Sequence, residues 1–235
     1  MLDLPLSFLH RPADARHTEP WLLVLLHGVG SNEEDLFGLA PVVPAHFHVL
    51  SLRAPYAMGQ GAYGWFEYAI TPQGRVINEA QEAASRQTVA QTLVSAAQQL
   101  GIAPEHVVVG GFSQGGIMAL SLLLTQPQRM KAAMVLHSRL LPQVLPLMAA
   151  PAALQGKQLW VSHGTRDPVI PLASAHVIRT LVETLPIALH YAEFPNAHEI
   201  TQQELDEAMA WLQRLSAGVD GGATRLPFQF PPNSK

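Results

Sequence analysis

Gly111-Phe112-Ser113-Gln114-Gly115 places one serine between two glycines at Gly-x-Ser-x-Gly spacing. A serine that attacks a carbonyl must stand on a tight strand-to-helix turn, where side chains two positions to either side would collide with it. Glycine at 111 and 115 removes the collision, and the helix start brings backbone N–H groups to a developing oxyanion. Such a string arises by chance in roughly one chain in ten of this length, so its surroundings carry the weight. Val107-Val108-Val109 precedes it and an apolar stretch, Ile117 to Leu124, follows it. The plain alternative is a glycine-rich turn that packs a helix on a strand, with Ser113 as its cap.

Serine is a weak nucleophile until a base takes its proton, and that base needs a carboxylate to hold one tautomer. In hydrolases that carry the serine on such a strand-to-helix elbow, the order along the chain is nucleophile, acid, histidine, each in a loop that leaves a strand. Gln158 to Ser162 reads as a strand with Asp167 in its exit loop, and Ala188 to Phe194 as the next, with His198 in its exit loop. Asp167 precedes a proline, so a turn or a helix cap is its ordinary alternative role. Of the eleven histidines, His10, His17, His46, His48 and His106 precede the serine and break the order. His176 and His190 fall inside a helix and a strand, while His137 and His163 end strands and stand as neighbours of a site. No His-Glu-x-x-His zinc pattern occurs. Ser113, Asp167 and His198 are the expected catalytic set.

The elements that must position these residues alternate between strand and helix. Trp21 to Leu26 is an unbroken apolar run, as expected of a strand buried on both faces, and it stops at His27-Gly28-Val29-Gly30. Ser31 or Asn32 offers the cap of a following helix, with Glu33, Glu34 and Asp35 suited to its first turn. Phe47 to Leu52 is a second strand, and Ala57 to Gly74, rich in glycine and aromatics, reads as a long loop. Glu79 to Leu100 is a helix stopped by Gly101. Helices are also expected over Gln114 to Thr125, Pro171 to Leu185 and Gln202 to Leu215, and a further strand over Ala132 to Leu136. The pattern predicts an α/β fold with a mostly parallel sheet covered on both faces. Residues 1–215 form one domain in this reading, and the Gly/Pro-rich residues 216–235 form a tail.

Composition narrows the functional classes. The 235 residues are 48% hydrophobic and 14% charged, which suits a folded globule. The net charge is −4 with no dense run of basic residues, so nucleic acid is not an expected partner. The absence of cysteine excludes disulfides, thiolate catalysis and cysteine-based zinc sites. The opening residues lack a secretory pattern and no apolar run is long enough for a membrane span, so a cytoplasmic location is expected.

These residues resemble the phospholipase/carboxylesterase family of α/β-hydrolases, which includes bacterial carboxylesterases and acyl-protein thioesterases. The carrying strings are Leu26-His27-Gly28-Val29-Gly30, Arg53-Ala54-Pro55, Gly64-Trp65-Phe66, Gly110 to Gly116, His163-Gly164 with Asp167-Pro168-Val169-Ile170-Pro171, and Ala197-His198-Glu199-Ile200. The resemblance implies a hydrolase with little or no cap domain and an oxyanion hole from the backbone N–H groups of Val29 and Gln114. It places Trp65 and Phe66, with Leu141, at the substrate, although ordinary loop packing accounts equally well for the aromatic pair. It implies hydrolysis of carboxylic esters of small or medium acyl chains by an acyl-enzyme mechanism, with no metal and no cofactor. Thioesterase or lysophospholipase activity is the alternative within the class, and a non-catalytic binding protein on the same fold the alternative outside it. A homodimer through apolar surface near the site is compatible with the resemblance. The stretch Leu136-His137-Ser138-Arg139-Leu140-Leu141-Pro142 departs from the family's usual Leu-Ser-Gly-Tyr-Leu-Pro type. Arg139, placed in the cleft, would favour substrates with an anionic or strongly polar group; an exposed or salt-bridged arginine is its ordinary alternative.

Overall fold

The computed structural model describes residues 2–72 and 74–218. In chain order the elements begin with β1 (Phe8–Arg11), β2 (Trp21–Leu26), α1 (Glu33–Phe37) and β3 (Phe47–Leu52). Four short strands follow: β4 (Tyr56–Gly59), β5 (Ala62–Gly64), β6 (Tyr68–Thr71) and β7 (Gly74–Ile77). Next come α2 (Glu79–Leu100), β8 (Val107–Phe112), α3 (Gln114–Thr125), β9 (Ala132–Leu136) and α4 (Pro151–Leu154). The series closes with β10 (Lys157–Gly164), α5 (Ala173–Val182), β11 (Ile187–Phe194) and α6 (Gln202–Ser216).

Seven strands form one sheet in the order β1-β3-β2-β8-β9-β10-β11. Only β1 runs antiparallel, pairing with β3 at the edge. The unbroken apolar letters of β2 follow from burial on both faces. Leu22, Val24 and Leu26 face one core layer, while Trp21, Leu23 and Leu25 face the other. The first layer is closed by α2, α3 and α5 through Val89, Leu93, Leu122, Ile178 and Val182. The second is closed by α1 and α6 through Leu36, Trp211, Leu212 and Leu215. Asn32 caps α1 by accepting from the Glu34 amide at 2.9 Å, which settles the choice left open between residues 31 and 32.

Two expectations need correction. Ala57 to Gly74 is not one loop but two antiparallel hairpins, β4–β5 and β6–β7. The first is tied to the body of the fold by a bridge between Ser31 and Tyr63, a long-range contact with no local sequence signature. The helix expected over Pro171 to Leu185 is shorter, Ala173–Val182, and begins after the turn at Pro171. Of the expected tail, residues 219–235 lie outside the described residues. Among the described residues no helix is long and apolar enough to cross a membrane.

Candidate active site

Five neighbouring strands, β2, β8, β9, β10 and β11, end on the same edge of the sheet, and every expected catalytic residue sits just beyond one of those ends. Ser113 occupies the turn between β8 and α3 with φ 53 and ψ −115, a conformation that L-residues rarely adopt. Its N–H donates to Leu136 O at 2.9 Å, and the Ser138 hydroxyl donates to Ser113 O at 2.8 Å, so β9 and its exit loop hold the turn in place. A Cβ on Gly115 would stand 1.8 Å from Leu26 O, and one on Gly111 would stand 2.2 Å from the Gly115 backbone. The glycine spacing is therefore a steric requirement of this turn. Ser113 makes no side-chain capping bond to α3, which leaves its hydroxyl free for another partner.

That partner is His198, whose Nε2 lies 2.9 Å from Ser113 Oγ. His198 Nδ1 lies 2.7 Å from Asp167 Oδ2. A carboxylate can only accept, so Nδ1 carries the proton and Nε2 is left to accept from the serine. The other oxygen of Asp167 accepts from the Val169 and Ile170 amides at 2.8 and 2.9 Å. Asp167 thus fills the turn role and the histidine-orienting role with different atoms. Burial alone would raise its pKa; the bonds from His198 and from the two amides outweigh that and hold it below the ordinary carboxylate value. Gly164 lets the two loops meet, because a Cβ there would stand 2.3 Å from Ala197 O.

Another serine–histidine contact shows what this arrangement adds. His46 Nε2 lies 2.7 Å from Ser216 Oγ, but Ser216 donates to Leu212 O and no carboxylate is bonded to His46 among the described residues. It lacks the orienting acid and an available hydroxyl proton.

Val29 and Gln114 line the cleft together with Ser113. Neither N–H has a partner among the described residues, as expected for a loop amide and for the first residue of a helix. The Gln114 side chain accepts from Trp65 N at 2.7 Å and donates to Phe66 O at 2.7 Å, which locks the segment after β5 onto the start of α3. Phe66 lines the cleft together with Ile117 and Ile170. Trp65 and Leu141 do not; both are buried in the core, and the Trp65 indole donates to His27 O at 2.9 Å. His27 is itself a neutral brace. Its Nδ1 donates to Gly28 O at 2.7 Å, its Nε2 accepts from Ala54 N at 3.1 Å, and burial lowers its pKa.

Behind Asp167 lies a buried polar chain that the sequence did not single out as a unit. His137 Nδ1 lies 3.3 Å from Asp167 Oδ2, and its Nε2 lies 3.1 Å from Glu204 Oε2. The Ser162 hydroxyl donates to Glu204 Oε1 at 2.6 Å. Burial would depress the His137 pKa, but the bonds to Glu204 and then Asp167 outweigh it and raise the value. His163 donates from Nε2 to Ile170 O at 2.7 Å and stacks on His137 with ring centroids 5.3 Å apart. His137 and His163 were visible as strand-end histidines, whereas Glu204 was not. In sequence it follows Thr201 at capping-box spacing, which points to an exposed carboxylate closing a helix start. In the structure its side chain turns inward and is fully buried.

His137, Asp167 and His198 are also the one trio among the described residues whose ligating atoms lie close enough to hold a metal. The 2.7 Å between His198 Nδ1 and Asp167 Oδ2 is the spacing of a shared proton, shorter than two ligands around one zinc ion would adopt.

The phospholipase/carboxylesterase family matches residues 12–216 of the chain. The chain belongs to that family. It is 26% identical to an acyl-protein thioesterase 1 of Gibberella zeae, over 89% of this chain and 94% of that protein. A second acyl-protein thioesterase 1, from Neurospora crassa, is 25% identical over 89% and 92% of the two chains. The Bacillus cereus carboxylesterase crystal structure superposes with a TM-score of 0.75 at 25% identity, covering 89% of this chain and 94% of that one. This phospholipase/carboxylesterase family member has the α/β-hydrolase fold, with its mostly parallel seven-stranded sheet and helices on both faces.

Proposed function

We propose that the protein is a serine carboxylesterase in which Ser113, His198 and Asp167 hydrolyse carboxylic esters through an acyl-enzyme. The observation that carries this reading is the unbroken chain from Ser113 Oγ through His198 to Asp167, at 2.9 and 2.7 Å. Ser113 Oγ attacks the ester carbonyl while its proton passes to His198 Nε2, and Asp167 stabilises the imidazolium that forms. The Val29 and Gln114 amides receive the negative charge on the carbonyl oxygen. The tetrahedral intermediate collapses as His198 protonates the departing alcohol. Water, deprotonated by His198, then releases the acid and restores Ser113. Hydrolysis of 4-nitrophenyl butyrate tests this: wild type should turn over, and His198→Ala should lose at least about a thousandfold in kcat. Equal rates for the two proteins would reject it.

A second reading is thioester or lysophospholipid hydrolysis by the same residues, favoured by the likeness to acyl-protein thioesterases. Rates on a palmitoyl thioester and on lysophosphatidylcholine, set against the butyrate ester, decide between them. A cytoplasmic location, expected from the sequence, and a homodimer, compatible with the resemblance, are checked by cell fractionation and by light scattering.

A further inference from the structure

Ser113 lines a small cleft that is partly open to solvent. Its apolar wall comes from Phe66, Ile117 and Ile170, and two arginines, Arg75 and Arg139, stand over it with no acidic residue among the lining groups. They come from unrelated parts of the chain: Arg139 from the loop after β9, Arg75 from the β6–β7 hairpin. Each is held differently. Arg75 donates to Val169 O at 3.2 Å and lies over the Tyr68 ring at 5.2 Å, so its guanidinium is fixed beside the Asp167 loop. Arg139 is half-buried, and neither arginine has an ion-pair partner among the described residues.

An arginine that loses water without gaining a carboxylate is an unfavourable arrangement, and a guanidinium cannot relieve it by releasing its proton. Burial and, after it, the neighbouring charge of Arg75 both disfavour charged Arg139. An anion between the two groups would relieve both effects. Other partly buried arginines in this chain are matched: Arg86 to Glu82, and Arg11 to four backbone carbonyls. Among the described residues, Arg139 is the partly buried arginine with neither a hydrogen bond nor an ion pair, and it stands in the cleft of Ser113.

We propose that Arg139 and Arg75 form an anion-binding subsite beside Ser113, so that the preferred substrates are esters of a short acyl group ending in a carboxylate. This rests on the reading of Ser113 as the nucleophile and adds the substrate class. The guanidinium fork matches a carboxylate in two parallel hydrogen bonds, and the apolar wall accommodates the methylenes between that carboxylate and the reacting carbonyl.

The test compares 4-nitrophenyl hemiglutarate with neutral 4-nitrophenyl butyrate at low salt. The variants are Arg139→Gln, Arg75→Gln and the double replacement, each checked by thermal melting. The ratio of kcat/KM for the acidic ester to that for the neutral ester should fall at least about tenfold in the double variant, the scale of a lost charged hydrogen bond. A ratio within twofold of wild type would overturn the subsite. Calorimetric titration with glutarate reads the same subsite without turnover. Weaker binding to the double variant than to wild type supports it, and equal binding, or none to wild type, overturns it. Labelling of wild type by a fluorophosphonate separates the two readings: without an adduct the nucleophile assignment fails, and the glutarate titration still decides the subsite.

Discussion

His137 Nε2 lies 3.1 Å from a carboxylate oxygen of Glu204, and both side chains are fully buried. With Asp167 3.3 Å from its other nitrogen, the ring can donate from both sides only as an imidazolium. His137 thus links the catalytic carboxylate to a second buried carboxylate.

Replacing Glu204 by Gln keeps the size and an acceptor for Ser162 but removes the charge that holds His137 protonated. The expected loss is about 3–5 kcal/mol of stability near pH 6, as for other broken buried pairs. Because the folded His137 pKa is raised, its contribution is complete below the ordinary histidine value of 6.5 and is lost as pH rises through the folded value. Urea midpoints of wild type and Glu204→Gln should thus converge as pH is raised from 6 to 9. A gap constant across that range would contradict the imidazolium assignment.

Asp167→Asn leaves an acceptor for the Val169 and Ile170 amides yet can donate to His198, favouring the wrong tautomer. We expect kcat to fall about 10³–10⁴-fold, with the far-ultraviolet circular dichroism unchanged. Asp167 titrates below its ordinary value of 3.8, so the stability it supplies is present above that value and fades as pH drops through the folded one. The variant should therefore lose stability less steeply between pH 5 and 3 than wild type does.

Much of this was legible because the requirements are local. A serine on a strand-to-helix turn dictates glycine at 111 and 115, and strands buried on both faces dictate runs such as Trp21–Leu26. What stayed hidden depends on distant partners. The β4–β5 hairpin is pinned by Ser31, and the segment after it by the Gln114 side chain, contacts that no run of letters announces. The edge strand Phe8–Arg11 is half-buried throughout and lacks alternation, and Glu204 has the spacing of an exposed helix cap. Trp65 and Leu141 lie near the site in sequence, but their bulk is used to fill the core, and Phe66 alone of the three reaches the cleft.

Gly115→Ala places a methyl group where Leu26 O already stands, 1.8 Å away. The strand end or the helix start must then separate, and a loss above about 4 kcal/mol is expected. Thermal melting should show a large fall in Tm or no folded protein; a Tm within a few degrees of wild type would mean that the turn is more compliant than its packing indicates.

The central claim, that Ser113 is an activated nucleophile, is tested most directly by intact mass after exposure to a fluorophosphonate. Wild type should gain the mass of a single adduct and Ser113→Ala should gain none. Folded wild type that takes no adduct, or a variant labelled to the same extent, would contradict the account.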